Sequence, residues 1–393
     1  MKKIVFASTS AAALLLASSV FAAGNSTTID QIGYANAASV DQTGSPSGAV
    51  AQITQGLAAT EATDEYNSAS VVQGGGAGNQ ADITQSQGTY GATRNHSNIS
   101  SSDQQGADGG VTVVQVGDST STINQLSGSS NEHAIVGQSN VDNTSSITQS
   151  GARQLALVNQ EEGGGNSATI IQAGTGNGVY SGYLLGAAPS GPGNLLWHEN
   201  LPGDSVIPGA SSGVTEFGPV GAFIDQTTAN NTGTINQNGF DNFADVAQGN
   251  QNGPGNSNDV GVIAQGAGLQ FSEAVVYQQD GVANNAAINQ SGAGSAYSTI
   301  LQNGNANQAD STQLGSERSI IGQGITNDEG RAGPSTTVFV SNDYASADQT
   351  GGADYSLINQ TGNNDSATVS QVAAGASALV NQGGSFNVAT IHQ

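Results

Sequence analysis

The chain has 393 residues and a formal net charge of −24, with 30 Asp and Glu against only 6 Lys and Arg. So few cations cannot neutralise a phosphate backbone, so the composition excludes nucleic acid as a partner. The chain is rich in glycine and has no cysteine. The absence of cysteine excludes a disulfide scaffold, so hydrogen bonding and packing must stabilise the fold.

Residues 1–23 have the composition of a secretory signal peptide. Lys2 and Lys3 form a basic start, Ala11 to Val20 form an apolar core, and alanines at 22 and 23 suit the cleavage site. The apolar run is too short to span a bilayer, and no later segment is apolar enough to do so. The sequence therefore predicts a secreted chain with no membrane span.

A short repeat occupies residues 24–177. Each unit begins with a polar or small residue, with a small residue at +2, Ile or Val at +4 and Gln at +6, as in Asn25–Gln31 and Asn36–Gln42. Weaker copies are assigned to Asn95–Ser101 and Asn131–Gly137. Strong copies end at Gln73, Gln85, Gln115, Gln125, Gln149, Gln160 and Gln172.

Two breaks divide the repeat. Residues 178–219 are rich in Pro and Gly and carry the only tryptophan, Trp197; proline cannot donate to a strand ladder, so this is an insertion. Repeats return over 220–321, stop at an irregular loop over 322–336, and continue over 337–393. The last four units are the most regular, and their glutamines are eleven residues apart, at Gln360, Gln371, Gln382 and Gln393.

This spacing predicts an all-β fold. Residues at 0, +2, +4 and +6 share one face of a strand, and the Gly and Asn runs between units would break a helix. We expect a β-solenoid of two stacked parallel sheets, cross-β and amyloid-like, built from strand–turn units of about 11 residues. A glycine two residues after the Gln, as at Gly44, Gly239 and Gly362, predicts a tight bend with positive φ.

The inward side chains are the candidate functional residues. Ile and Val are expected to stack in an apolar column, and Gln and Asn in amide ladders that set the register between coils and carry assembly. Those positions are Ile29, Gln31, Asn36, Val40, Gln42, Asn231, Ile235, Gln237, Asn242, Val246, Gln248, Ile358, Gln360, Val369, Gln371, Val380, Gln382, Asn387, Ile391 and Gln393. We expect the coils at 25–42 and 387–393 to lack caps and to stack end to end in a homopolymer.

The repeat resembles the curlin repeat of the bacterial curli amyloid system. The pattern is closest at Asn231–Gln237 with Asn242–Gln248, and again at Asp365–Gln371 and Asn387–Gln393. The resemblance implies a secreted subunit that polymerises into extracellular curli-like fibres for biofilm matrix and surface adhesion. It also implies a nucleator subunit and an outer-membrane secretion channel as partners. The chain is longer than the usual family member and carries two insertions.

No residue pattern predicts an enzyme, a cofactor or a metal. The four histidines His96, His133, His198 and His392 are scattered, and acidic residues such as Asp41 are assigned to outward or turn positions. Two alternatives to a fibre subunit stay open. One is a monomeric β-solenoid adhesin that presents the 178–219 loop to a surface ligand. A more distant one is an ice- or mineral-binding solenoid, for which the outward residues are too mixed.

Overall fold

The computed structural model describes residues 6–8, 24–32, 36–56, 67–86, 98–160, 164–176, 221–249, 258–279, 281–324 and 340–393. They fall into two compact units, residues 1–173 and 174–393. The insertion predicted at 178–219 lies outside the described residues, as do Trp197, His96 and His198. The regular structure of the described part is all β, as predicted.

The first unit holds the strands up to β10. They are β1 (Phe6–Ser8), β2 (Ser26–Gln31), β3 (Ala37–Gly44), β4 (Val50–Gln55), β5 (Ser68–Gly74), β6 (Gln80–Ser86), β7 (Ile99–Gln104), β8 (Gly110–Gln125), β9 (Ser130–Gln160) and β10 (Ser167–Thr175). β8 and β9 are long because they continue around the corner of a coil: residues 110–116 pair with β6, and residues 120–125 pair with β7.

The second unit holds the remaining strands. They are β11 (Gly221–Gln226), β12 (Thr232–Phe240), β13 (Phe243–Gly249), β14 (Val260–Gln265), β15 (Glu273–Gln279), β16 (Asn285–Ser291), β17 (Tyr297–Asn305), β18 (Gln308–Leu314), β19 (Arg318–Gln323), β20 (Val340–Ser341), β21 (Tyr344–Gln349), β22 (Tyr355–Gln360), β23 (Ser366–Gln371), β24 (Ser377–Gln382) and β25 (Val388–His392).

Each repeat pairs in parallel with the next repeat but one, so successive repeats alternate between two sheets. In the first unit β2, β4 and β6 follow one another in one sheet, and β3, β5 and β7 in the other. In the second unit we call β11, β13, β15, β17, β19, β22 and β24 the Gln226 sheet. The strands β12, β14, β16, β18, β21, β23 and β25 form the Gln237 sheet. The predicted two-sheet solenoid is confirmed in each unit.

An apolar column runs between the sheets of each unit. Ile53 pairs with Ile83 in the first, and Ile235 with Ile263 and then Ile288 in the second, all of them buried. Burying one such side chain contributes about 1.5–3 kcal/mol. Because side chains alternate along a strand, a slip of one residue would turn this column out to water. The column therefore sets the pairing register.

Small residues at +2 let the sheets approach each other. A Cβ on Gly233 would lie 2.8 Å from Cγ2 of Ile224 in the facing sheet, and one on Gly261 would lie 2.7 Å from Cγ1 of Val246. Contacts this short need a neighbour to move, so the Ile and Val of one sheet occupy the space that glycine leaves in the other.

The glycines after the ladder glutamines have two different roles. Gly239 has φ of 138°, as predicted for a tight bend. Gly362 and Gly44 do not have positive φ, so the prediction was wrong there. At Gly362 the reason for glycine is packing, since a Cβ would collide with the carbonyl oxygen of Gly384 in the next coil.

The two weak repeats were assigned to the wrong register. The structure places one at Asn98–Gln104, with Ser100 and Ser102 buried, and the other at residues 132–138, with Glu132 buried. Ser102 and Glu132 do not fit the Ile/Val and small-polar pattern, so sequence spacing pointed elsewhere. The pairing of Gln104 with Gln73 and of Gln138 with Gln115 fixes the true frame.

Two boundaries also differ from the sequence pattern. β19 continues to Gln323, two residues past the boundary predicted at 321. At the other end, Phe6–Ser8 of the predicted signal peptide forms β1, which pairs in parallel with Ile29–Gln31. While the leader is attached, this strand lies on the outer edge of β2.

The buried face predicts a sharp contrast between neighbouring substitutions. Ile235→Asp should lower the free energy of unfolding by several kcal/mol, because it places an unpaired charge between the sheets. Asn236→Asp should change it by less than about 0.5 kcal/mol, because residue 236 is exposed. Urea unfolding of the unpolymerised chain, followed by circular dichroism, measures both. Similar destabilisation by the two substitutions would contradict the assigned face.

Candidate functional site: the amide ladders

Glutamines at +6 form two ladders in each unit. In the first unit Nε2 of one Gln donates to Oε1 of the Gln in the next coil over 2.6–3.1 Å. The two series are Gln31, Gln55, Gln85, Gln115, Gln138, Gln160 and Gln42, Gln73, Gln104, Gln125, Gln149, Gln172. In the second unit the distances are 2.8–3.2 Å. The series there are Gln226, Gln248, Gln278, Gln302, Gln323, Gln360, Gln382 and Gln237, Gln265, Gln290, Gln313, Gln349, Gln371, Gln393.

The ladder glutamines also join the two sheets. Nε2 of Gln85 donates to the backbone carbonyl of Ser68 over 3.1 Å, and Nε2 of Gln290 donates to that of Glu273 over 2.9 Å. In both pairs the carbonyl belongs to the +1 residue of the preceding repeat, in the opposite sheet. A carbonyl can only accept, so this bond decides which end of the amide is nitrogen. The ladder direction follows: every Nε2 points toward the later coil.

A ladder of a different kind, made of Asn and Asp side chains, lies at position 0 of the Gln237 sheet. Each side-chain oxygen accepts the backbone N–H of the position-0 residue one coil later, over 2.8–3.2 Å. The series is Asn231, Asp259, Asn284, Asn307, Asp343, Asp365 and Asn387. It ties each turn to the next, so register is held at both ends of the strand.

Buried carboxylates at position 0 are the functional feature that sequence reasoning missed. Asp41, Asp82 and Asp245 do lie at half-buried or exposed positions, but Glu132, Asp343 and others are buried. Burial raises the pKa of Glu132 to about 7. The signal was available in the sequence, because Asp354 and Asp365 stand at position 0 of the most regular repeats. The spacing of these two residues identifies the register of their repeats, but their charge suggested that they would be exposed to solvent.

Asp343 lies directly beneath Asp365 in the position-0 ladder. Burial raises the pKa of Asp343 to about 6; the backbone N–H of Asp365 opposes this shift and the Asp365 carboxylate adds to it. Oδ2 of both residues is buried and accepts no hydrogen bond in the described part of the chain. Coils are about 4.8 Å apart, so two charged carboxylates here repel at short range.

The structure brings the predicted assembly residues together, with a difference between middle and end coils. Most are buried in the ladders and columns: Gln31, Asn36, Gln42, Asn231, Ile235, Gln237, Asn242, Val246, Gln248, Ile358, Gln360, Val369, Gln371, Val380 and Gln382. The others belong to the two end coils and are half-buried or exposed: Ile29, Val40, Asn387, Ile391 and Gln393. Within the described residues β25 pairs on one side only, with β23, so its inward side chains have no coil above them.

The described residues hold no metal-binding cluster and no membrane-spanning helix. They contain no group of three or more His, Asp or Glu placed to hold a metal ion. Among them, no helix has the length and apolarity needed to cross a membrane.

These features define a class of protein: two-sheet parallel β-solenoids whose coils are held in register by inward glutamine ladders. Within this chain, residues 142–174 match the family model of the curlin associated repeat. The matched segment contains the ladder residues Gln149, Gln160 and Gln172. This match confirms the resemblance that the sequence pattern indicated. No curated protein matches the chain at a significant level.

A ladder glutamine should contribute more to the free energy of unfolding than its outward neighbour does. Gln290→Ala removes the acceptor for Gln265 and the donor to Gln313 and Glu273. Each buried group left unpaired costs about 1–3 kcal/mol, so we expect a loss of several kcal/mol by urea unfolding. Asn289→Ala, at an exposed position of the same strand, is the matched control and should change stability by under about 0.5 kcal/mol. Equal effects would show that the ladder does not stabilise the coil.

The stacked carboxylates predict a pH dependence with a definite sign. Because the pKa of Asp343 is raised from 3.8 to about 6 by folding, its stabilising contribution is complete below about pH 4 and is lost as pH rises through about 6. Asp343→Asn removes this titration and keeps a side-chain oxygen for the Asp365 N–H. The variant should therefore be more stable than the wild type at pH 8 and have a flatter urea-unfolding profile between pH 4 and 7. Asp30→Asn, at an exposed position of β2, is the control and should leave the profile unchanged. A profile for Asp343→Asn that parallels the wild type would contradict the assignment.

Proposed function

We propose that this protein is a secreted structural subunit, and not an enzyme, that polymerises into extracellular curli-like amyloid fibres for biofilm matrix and surface adhesion. The observation that carries the proposal is the open, directional amide ladder of the last coil. The match to the curlin associated repeat supports self-assembly. A nucleator subunit and an outer-membrane secretion channel are the further partners that this resemblance implies.

The two ends of the ladders are complementary. In the described residues, Nε2 of Gln382 and Gln393 each donates only to a backbone carbonyl, so each keeps one N–H for a further coil. In the first coil of the first unit, Oε1 of Gln31 accepts no hydrogen bond from a described residue, and Oε1 of Gln42 accepts one from Thr27 over 3.0 Å. Donors at one end and acceptors at the other favour head-to-tail addition, a heterologous contact that forms filaments.

The repeat order specifies how one molecule would follow another. Strands alternate between sheets, so the next strand after β25 belongs on β24, and the one after that on β25. We expect β2 of an incoming molecule to pair with β24 and its β3 with β25, so that Gln382 donates to Gln31 and Gln393 to Gln42. Removal of the leader would take away β1 and open the edge of β2 for this pairing.

The experiment is a cap on the last coil. A charged, proline-containing peptide joined directly after Gln393 should cover the edge of β25 and suppress elongation of seeded fibres, measured by thioflavin fluorescence. The matched control carries the same peptide on a long Gly-Ser linker, which leaves the edge open and should preserve growth.

The cap also distinguishes the direction of growth. Capped molecules can still dock through β2 and β3 and then accept no successor, so small amounts should terminate wild-type fibres. Undiminished growth by the directly capped protein would exclude stacking through this coil. A wild-type chain that stays monomeric at high concentration would favour the alternative, a monomeric adhesin.

A further inference from the structure

A column of outward side chains at +5 of the Gln237 sheet ends at His392. The +5 residue of each coil pairs with that of the next, and the column is Asn236, Ala264, Asn289, Thr312, Asp348, Ser370 and His392. His392 lies in the last strand, β25, and is exposed. Asp348, two coils earlier, is the only other titratable side chain of the column. No described residue follows His392 on its later side, so the place of the next +5 residue is open.

The glutamine ladder determines which residue would take that place in a fibre. Strands that share a ladder bond also pair at +5, as in β21 and β23, where Asp348 pairs with Ser370 one residue before the ladder glutamines. The docking proposed above joins the ladders of β25 and of β3 of an incoming molecule. It therefore brings Asp41, which precedes the ladder glutamine of β3, beside His392. The two side chains would be one coil apart, about 4.8 Å along the axis.

Asp41 suits an ion pair at this place. It lies at +5 of β3, where Val72 pairs with it on the later side and no described residue continues the column on the earlier side. Its Oδ1 accepts the backbone N–H of Thr43 over 2.9 Å, and this bond lowers the pKa of the carboxyl below its ordinary value. Asp41 is therefore ionised at every pH at which a histidine gains or loses its proton.

We propose that His392 forms an ion pair with Asp41 of the next molecule at each junction of the fibre. This inference rests on the head-to-tail docking proposed above and adds a dependence of that docking on pH. The pair is attractive only while the imidazole is protonated, and an unperturbed histidine titrates at about pH 6.5. Docking beside a carboxylate favours the protonated form. The contribution of the pair is therefore complete below about pH 5.5 and is lost as pH rises through the histidine range.

Asparagine side chains favour β3, and not β2, as the strand that docks on β25. Just before β25, Nδ2 of Asn387 donates to Oδ1 of Asp365 in the preceding coil over 3.0 Å. In the sheet of β3, Nδ2 of Asn67 likewise donates to Oδ1 of Asn36 over 3.2 Å. The two ladders run in the same direction, so Asn36 of the incoming molecule can donate to Oδ1 of Asn387. The sheet of β2 has Ala49 at position 0 of its second coil, which interrupts any such ladder.

The other outward contacts of the junction contain no pair of like charges and no second ion pair. The expected neighbours, read from the same register, are Ser377 with Ser26, Leu379 with Thr28, Asn381 with Asp30, Val388 with Ala37 and Thr390 with Ser39. His392 is the one side chain of these four strands that ordinarily titrates near neutral pH. The α-carboxylate of Gln393 and the α-amino group left by removal of the leader are charged as well, and every variant tested retains both.

The pH dependence of fibre stability measures the pair. The leader-free full-length chain is brought to equilibrium with fibre seeds at about pH 5.5 and about pH 8, on either side of the histidine range, and the chain left in solution is quantified after sedimentation. We expect the ratio of soluble chain at the higher pH to that at the lower pH to be about two- to fivefold larger for the wild type than for His392→Asn, as for an exposed ion pair. Thr390→Asn, at an exposed outward position of the same strand, is the matched control and should keep the wild-type ratio. Titration elsewhere, as at Asp343, is common to all variants and cancels in the comparison.

A double-mutant cycle identifies the partner of His392. Asp41→Asn keeps an oxygen for the N–H of Thr43 and should lower the ratio as much as His392→Asn does, and the double variant should lower it no further. Asp30→Asn should leave the ratio at the wild-type value. A loss caused by Asp30→Asn instead would place β2 on β25 and overturn the pairing with Asp41. Additive effects of the substitutions at 41 and 392 would overturn it too.

Failure of this ion pair is distinguishable from failure of the proposed function. If the fibres of the wild type and of His392→Asn have the same solubility ratio, the ion pair is overturned. Head-to-tail stacking would then still stand, and the directly capped protein would still not elongate. A wild-type chain that forms no fibres at either pH would overturn both.

Discussion

The structure depends on one side chain, the buried glutamine amide, and on the way its three hydrogen-bonding groups are used. One N–H donates to the next coil, the other donates to the facing sheet, and the oxygen accepts from the previous coil, as at Gln290. An amide buried between sheets is costly unless it is paired, so the coil is stable only in the register that pairs it. Asparagine or alanine in its place could not reach both partners, because the side chain must span to the neighbouring coil and to the facing strand together.

That dependence explains which parts of the fold could be predicted from the sequence. Wherever Ile or Val at +4 and Gln at +6 occur together, as at Ile235 and Gln237, strand, face and register follow from the spacing. At Ser102 and Glu132 the pattern is broken, and only the pairing of their strands with neighbours reveals the frame. The sequence of a single repeat is thus too weak a signal to fix its register. The register is fixed by pairing with the neighbouring strands.

Two other features were missed when the pattern was interpreted. Asp343 looks like a surface residue by composition, and it is buried because the position-0 ladder needs a short side chain with an acceptor oxygen for the backbone N–H of the next turn. Asp and Asn are equally able to supply that oxygen, so the ladder tolerates a charge whose burial then shifts its pKa. The burial of outward residues such as Ile320 was missed because strand parity assigns them to solvent. Parity gives the direction of a side chain, and burial also depends on its surroundings.

The amide ladders have an electrical consequence. Backbone dipoles in a sheet alternate and largely cancel, but the carboxamide groups of a ladder all point the same way, each N–H toward the later coil. The dipoles of successive glutamines therefore add along the axis of each unit instead of cancelling. The later end of a ladder carries the positive pole and the earlier end carries the negative pole. A stack of such coils would therefore be an electret as well as a mechanical fibre, and its two ends would interact differently with an ion or a charged surface.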